Sequence, residues 1–254
     1  MINASYTAKA AAMAQQKRLD VISNNLANVN TYGYKSSSVS FKDTLYNTMV
    51  NPAGYNGANL ERGSGVLVSA TNIKFTNGAA LTTGNDMDFC IEGDGFFMVE
   101  DQNGNTVYTR NGAFYVSIEA DGNYLVNGQS NYILDENGQR ITLPPEAMDN
   151  LAVDGEGNLS AKGGAIFAKL GIKSFPNSYG LEKLGNNTFG ETISSGAPYN
   201  SNDYTIMQGY LEGSNVDMVE EMTLSIRASR AFSFASRCIT TADEMDGLAN
   251  NIRG

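Results

Sequence analysis

The chain contains no histidine and no tryptophan, and only two cysteines and five prolines in 254 residues. Without imidazole there is no Ser-His-Asp or Cys-His nucleophile, no His-ligated zinc and no histidine general base. Cys90 and Cys238 are too few for a four-cysteine zinc site or a disulfide framework, and the sequence leaves open whether they pair with each other. Basic residues are also scarce, with Lys+Arg 17 against Asp+Glu 27 and a net charge of -10. That balance argues against binding along a nucleic-acid backbone, which requires clustered Lys and Arg to displace counterions. No apolar run approaches the roughly 20 residues needed to span a bilayer. The opening Met1-Ile2-Asn3-Ala4-Ser5-Tyr6 lacks the basic and apolar regions of a cleavable signal peptide. What is present is a globular balance, 41% hydrophobic and 17% charged, with 27 Gly and 13 Tyr. That length can bury the core of one large domain or two small ones.

Composition changes along the chain. Residues 2 to about 30 are rich in Ala, Gln, Lys and Leu and free of Gly and Pro, which predicts a helix. Ala8, Ala12, Gln15, Leu19, Ile22, Leu26 and Val29 follow 4-3 spacing, the seam of a coiled coil. Ile2, Tyr6 and Met13 fall off that seam. Gly33 suits a cap or turn after the helix. At the other end, Ser214-Asn215-Val216-Asp217 has the form of a capping box, and Glu220 and Glu221 lie where a helix dipole favours acids. From there Leu224, Ala228, Ala231, Ala235, Cys238, Ala242, Met245, Ala249 and Ile252 hold 4-3 spacing in a helix expected over 216–252, about 55 Å long. Between the ends, short alternating runs such as Gly95-Phe96-Phe97-Met98-Val99 are separated by Asn-Gly and Asp-Gly dipeptides, the signature of β-hairpins.

The expected fold is therefore α+β. Two long terminal helices, forming a coiled-coil region, flank an all-β domain. The expected divisions are 1–35 (helix and the segment after it), 36–74 (an extended connector), 75–208 (the β domain) and 209–254 (the second helix).

Motifs for chemistry are thin. Asp101-Gln102-Asn103-Gly104-Asn105 begins like an EF-hand loop but lacks glycine at position six and a bidentate Glu at position twelve. Asp135-Glu136-Asn137 has Glu146 at position twelve, with Arg140 in place of the turn glycine. Both read as hairpin turns. Asp86 and Asp88 straddle Met87, and strand alternation would put both carboxylates on one face as an acid–base pair; solvated loop residues are the simpler reading. Gly93-Asp94-Gly95 and Gly63-Ser64-Gly65 are too short for a dinucleotide fingerprint. No catalytic residue, cofactor or metal ligand is assigned. The paired helical seams carry more weight. Met222, Ile226, Phe232, Ile239 and Leu248 add apolar residues off the C-terminal seam, and a helix apolar on several faces needs several neighbours. This predicts self-assembly.

The segment Ile22-Ser23-Asn24-Asn25-Leu26-Ala27-Asn28-Val29-Asn30-Thr31-Tyr32-Gly33-Tyr34-Lys35 resembles the signature of bacterial flagellar rod and hook proteins. Gly209-Tyr210-Leu211-Glu212-Gly213-Ser214-Asn215-Val216-Asp217, continuing through Glu220-Glu221-Met222, resembles the closing motif of the same family. Ile91-Glu92-Gly93-Asp94-Gly95-Phe96-Phe97 and Tyr108-Thr109-Arg110-Asn111-Gly112-Ala113-Phe114 fit it too. Gly180 to Asn186 and Ser195-Gly196-Ala197-Pro198 look most like the distal-rod type, while Asp246 to Asn251 is less typical and keeps the proximal-rod or hook type open.

The resemblance implies a non-enzymatic subunit that polymerises helically into the axial drive shaft beneath the hook. The helices would form an inner tube and the β domain an outer layer. It implies type III export without a cleaved signal, a place in the basal body outside the cytoplasmic membrane, and self, neighbouring rod and hook subunits and surrounding ring proteins as partners. Asn24, Asn25 and Asn28 can then bond exposed backbone at helix ends and neighbouring subunits. With Leu19, Ile22, Leu26, Val29 and the C-terminal seam from Leu224 to Ile252, they form the expected assembly interface. A secreted module that binds cell-wall glycan through the β domain, and a hydrolase using Asp86 and Asp88, are the competing readings.

Overall fold

A computed structural model describes residues 2–49, 60–148, 150–162, 164–201 and 203–253. Residues 50–59 of the expected connector, Met1 and Gly254 lie outside the described residues. The chain divides into two compact units.

One unit joins both terminal helices to the strands of 37–73. Helix α1 runs Ile2–Ala27 and helix α2 runs Met218–Arg253. Helix α1 stops where Asn28 turns the chain, its carbonyl accepting from the Thr31 amide at 3.1 Å. The cap of α2 is Asp217 and not Ser214. The Asp217 carboxylate accepts from the amides of Val219 at 2.8 Å and Glu220 at 3.1 Å, while Ser214 Oγ accepts from Val216. A carboxylate satisfies two free first-turn amides and also suits the positive end of the dipole, so it displaces the hydroxyl three residues earlier.

The helices pack antiparallel. Asn25, near the end of α1, meets Glu221 in the first turn of α2, whereas Ala4 and Ala8 share a groove with Ala235 and Cys238. The stretch read as a connector holds antiparallel strands. Ser37–Asp43 pairs with Val66–Ile73, with a bulge at Ser40/Phe41, and Tyr46–Met49 pairs with Leu60–Gly63. Gly65 takes φ +106°, a left-handed conformation that favours glycine, beside Thr7 and Ala10 of α1. The Arg18 guanidinium lies over Phe41, 5.9 Å from its ring centroid.

The second unit comprises 28–36 and 74–216. The sequence segments just inside each helix thus fold with the strands. Its main sheet runs in the order Thr142–Leu143, Gly122–Asn127, Tyr132–Ile133, Phe96–Glu100, Thr106–Thr109, Thr188–Gly190 and Glu182–Gly185. Strand Phe96–Glu100 is buried on both faces, so its alternation feeds two clusters. Phe97 joins Phe89, Phe114, Leu125, Ile133 and Leu159 in the larger core. Phe96 instead meets Phe75 at 5.5 Å, Phe189 at 5.8 Å and Phe175 at 6.0 Å, edge to face. Asp101 and Asp135 sit in hairpin turns. The Asp101 carbonyl accepts from Gly104, and Asp135 Oδ1 accepts from the amides of Asn137 and Gln139.

Candidate assembly surface and signature junction

In the helical unit, the residues singled out from the sequence divide by burial. Ile22, Asn25, Ala228, Ala235 and Ala242 are buried, and Leu19, Leu26, Leu224 and Ala231 are half-buried. Asn24, Cys238, Met245, Ala249 and Ile252 are exposed. Cys238 is exposed and Ile239 is half-buried, as expected where a straight helix of 3.6 residues per turn drifts from a strict 3.5-residue repeat. The stripe toward α1 consists of small side chains. It leaves an open apolar groove of about 460 Å³ lined by Ala4, Thr7, Ala8, Ala11, Gln15, Ala231, Phe234, Ala235 and Cys238. Gln15 Oε1, in the groove wall, is buried without a donor among the described residues.

Helix α2 has 36 residues against 26 in α1, so in antiparallel packing its C-terminal turns run past the start of α1. Those turns carry Met245, Leu248 and Ile252 at 49%, 64% and 87% exposure. Met222, Ile226 and Phe234 are exposed further back. Among the described residues, the large apolar side chains that α1 exposes are Tyr6 and Met13, both off the seam.

Asn25 is the polar joint of this unit. It is 1% exposed, and its amide donates to Ser37 O and Glu221 Oε1, each at 2.8 Å, while its oxygen accepts from Ser37 N at 3.0 Å. One side chain therefore links the last turn of α1, the first strand and the first turn of α2. Val29 and Asn28 are half-buried and belong to the other unit, where Asn28 Oδ1 accepts from the Thr31 hydroxyl.

The β unit brings the two signature segments together around a buried charge cluster. Lys35 Nζ meets Glu212 Oε1 at 2.6 Å and donates to Thr76 O at 2.9 Å; both side chains of the pair are at most 2% exposed. Arg110 Nη1 stands 3.4 Å from Glu212 Oε2, and its guanidinium donates to the carbonyls of Ile91 and Gly93. The Gly78 amide also donates to Glu212 Oε1. Burial pushes the Lys35 ammonium below its ordinary value, with Glu212 opposing that shift; Arg110 is lowered for the same reason. The nearby Cys90 thiol is pushed up to about 11, again chiefly by burial.

Backbone contacts complete the junction. The Gly33 amide donates to Glu212 O at 2.8 Å, and Ser36 N donates to Asn215 Oδ1 at 2.7 Å. Gly33 has φ +67°, and a Cβ there would lie 2.6 Å from the backbone of Arg110 and Asn111, so only glycine fits. Lys35, Arg110 and Glu212 each stand in a motif quoted from the sequence, but their meeting was not anticipated. A lone charged residue carries no sign of its partner when that partner lies 177 or 102 positions away.

The structure does not bring Asp86 and Asp88 into an acid–base pair. They lie in and beside a turn, not in a strand. Asp86 pairs with Lys162 at 3.0 Å, whereas Asp88 is buried and accepts from Thr83 Oγ1 at 2.6 Å and from Asn85. Cys90 and Cys238 are both free thiols, one buried and one exposed. Among the described residues no cluster of His, Cys, Asp and Glu could hold a metal ion, and no helix is long and apolar enough to cross a membrane.

Three family models match the chain. They are flagella basal body rod protein over 6–35, flagellar hook protein FlgE/F/G D1 domain over 90–161, and flagellar basal body rod FlgEFG protein C-terminal over 207–252. Full-length relatives agree. The chain is 41% identical to the flagellar basal-body rod protein FlgG of Agrobacterium fabrum, over 93% of this chain and 94% of that protein. It is 34% identical to FlgG of Bacillus subtilis, over 96% and 97%, and 35% identical to FlgG of Borreliella burgdorferi, over 100% and 99%. The first and last matched segments contain the residues that the buried junction ties together, Lys35 and Glu212, and the middle one ends short of neither Arg110 nor its strand. The chain belongs to the flagellar basal-body rod protein family, as a structural rod subunit of the distal-rod type.

Proposed function

We propose that this subunit polymerises through its helical unit into the axial shaft that transmits torque to the hook, with α1 and α2 paired as a coiled coil. The observation that carries the proposal is the uncovered apolar length of α2. Met245, Leu248 and Ile252 lie on turns that α1 cannot reach, and such side chains gain about 25 cal/mol for each Å² of apolar surface removed from water. Neighbouring copies supply that cover. A heterologous contact that does not close produces a helical polymer and not a ring. The groove lined by Ala8, Ala231 and Ala235 allows close helix approach, and a neighbour's donor would satisfy Gln15 Oε1. The expected interface therefore comprises Met245, Ala249, Ile252 and Cys238 outward, with Leu19, Ile22, Leu26, Leu224, Ala228, Ala235 and Ala242 holding the pair together. Rod and hook subunits above and below, the rings around the shaft, and export through the type III apparatus complete this reading.

The double substitution Leu248→Asp/Ile252→Asp tests it. The variant should keep the helix content and melting temperature of the monomer, sediment as monomer where the parent polymerises, and fail to restore swimming. Polymers of parental length and stability would overturn the proposal.

A further inference from the structure

Helix α2 carries a second row of side chains beside the one that meets α1. Phe234, Cys238, Thr241, Met245, Leu248 and Ile252 follow strict 4-3 spacing, and all six are exposed. The row is about 27 Å long at 1.5 Å per residue. Phe234 and Cys238 line the groove, and Met245, Leu248 and Ile252 lie beyond the start of α1. A helix laid along the row therefore fills the groove and continues over the overhang. Arg230, Arg237 and Glu244 follow at seven-residue steps along one flank, where coiled-coil partners exchange salt bridges. All three are exposed, and none has an ion-pair partner among the described residues. Gln15 Oε1 in the groove wall, buried without a donor, marks the same face as uncovered.

A complementary row stands on α1. Tyr6, Lys9, Met13, Gln16 and Asp20 follow 3-4 spacing, and all are exposed. Tyr6 and Met13 lie about 200° round the helix from Ala4 and Ala11 of the groove, so this row is turned away from α2. The strands beside α1 leave it open, because Gly65 sits by Thr7 and Ala10, and Phe41 lies under Arg18. The charges are opposite as well. Helix α1 has Lys9, Lys17 and Arg18 against Asp20, whereas the last turns of α2 have Asp243, Glu244 and Asp246 against Arg253. Acids near a helix C-terminus oppose the dipole and gain from a positive partner.

We propose that the α1 row of a second copy of this chain lies antiparallel along the outer row of α2. The proposal rests on polymerisation through the helical unit and specifies which surfaces meet. Tyr6 then faces Ile252 and Met13 faces Met245, since both pairs are seven residues apart. That register sets Gln16 against Thr241 and puts Asp20 beside Arg237 and Lys17 beside Glu244. Lys17 and Asp20 of one copy are only loosely paired, at 3.9 Å and in solvent, so both are available. Parallel alignment loses both contacts, runs α1 off the end of α2 and leaves the groove empty. The two rows are different surfaces turned in different directions. Their contact is heterologous and repeats from copy to copy without closing.

Cys238 reports the register directly. In its own chain it shares the groove with Ala4 and Ala8, and Ala8 is about 18 Å along α1 from position 20. In the proposed contact Cys238 meets position 20 of the next copy. Asp20→Cys, treated with a short bismaleimide where the parent polymerises, should give a ladder of cross-linked chains on a denaturing gel, and Cys238→Ser should abolish it. Charge reversal gives a second measurement. Asp20→Arg and Arg237→Glu should each raise the critical concentration for polymerisation about fivefold, and together should bring it back toward the parental value. Positions 20, 237 and 238 are exposed, so the variants should keep the parental circular dichroism. Absence of the ladder, a parental critical concentration in the single reversals, or no recovery in the double reversal overturns the proposal. Dimers of the parent chain cross-linked through Cys238 of both copies overturn it too, because they place α2 on α2. The assembly reading itself falls on a different result, parental polymers from Leu248→Asp/Ile252→Asp.

Discussion

Glu212 balances two buried cations, Lys35 and Arg110, and no other carboxylate within bonding distance of either is present among the described residues. Glu212→Gln keeps the shape but removes that compensation, and breaking a buried pair costs about 3–5 kcal/mol. Urea unfolding of the variant should show a loss of that order in the β unit, against a negligible change for Lys162→Gln at the exposed pair with Asp86. The thiols differ as sharply. Cys90 is buried and its proton is held up to about 11, while Cys238 is exposed. At pH 8 iodoacetamide should modify Cys238 and leave Cys90 intact until the chain is denatured, as a mass spectrum will show. The sign for stability follows from the same shift. The unfolded chain loses the Cys90 proton first, near the ordinary value of 9.0, so this thiol's contribution falls as pH rises from there toward 11.

Elements show where patterns in sequence translate into contacts and where they do not. Along the 4-3 seam of α2, Ala228, Ala235 and Ala242 are buried, while Cys238 is exposed at the groove shared with Ala4 and Ala8. A heptad count assumes a supercoil tight enough to hold register, and one slipped position is enough to turn a side chain outward. Asn25 was expected at a helix end, and it stands near one, but it bonds to a strand and to the other helix. Asn25→Ala leaves Ser37 N and Ser37 O without this partner and should destabilise the helical unit by about 1–3 kcal/mol. Circular dichroism at 222 nm during a thermal melt will report it as a lowered midpoint, with the near-ultraviolet signal of the β unit less affected. Asp217, which took over the cap expected of Ser214, shows why N-termini are read reliably only to within a few residues.

For the molecule as a whole, the division into units carries a prediction. The β unit closes at Val216 and includes Lys35, Arg110, Glu212 and the cores around Phe96 and Phe97. A chain ending at Val216 should retain the junction and a cooperative unfolding transition while losing all polymerisation. Loss of that transition on truncation would show that the helices are needed for the β core.

Read alone, the sequence determined the helices, the strand-rich middle, the absence of imidazole chemistry, and the family through its signature segments. Those are local properties of composition, period and motif, and each is carried by residues close together in the chain. The tertiary structure alone decided that Thr31 to Ser36 and Gly209 to Val216 belong to the β unit, and that 37–73 pairs as strands beside α1. It also decided that Asp86 and Asp88 serve different partners. These outcomes depend on which distant groups meet once the chain has collapsed. Charge neutralisation, hydrogen-bond satisfaction and close packing select those partners, and none of the three has a signature within a short window of sequence.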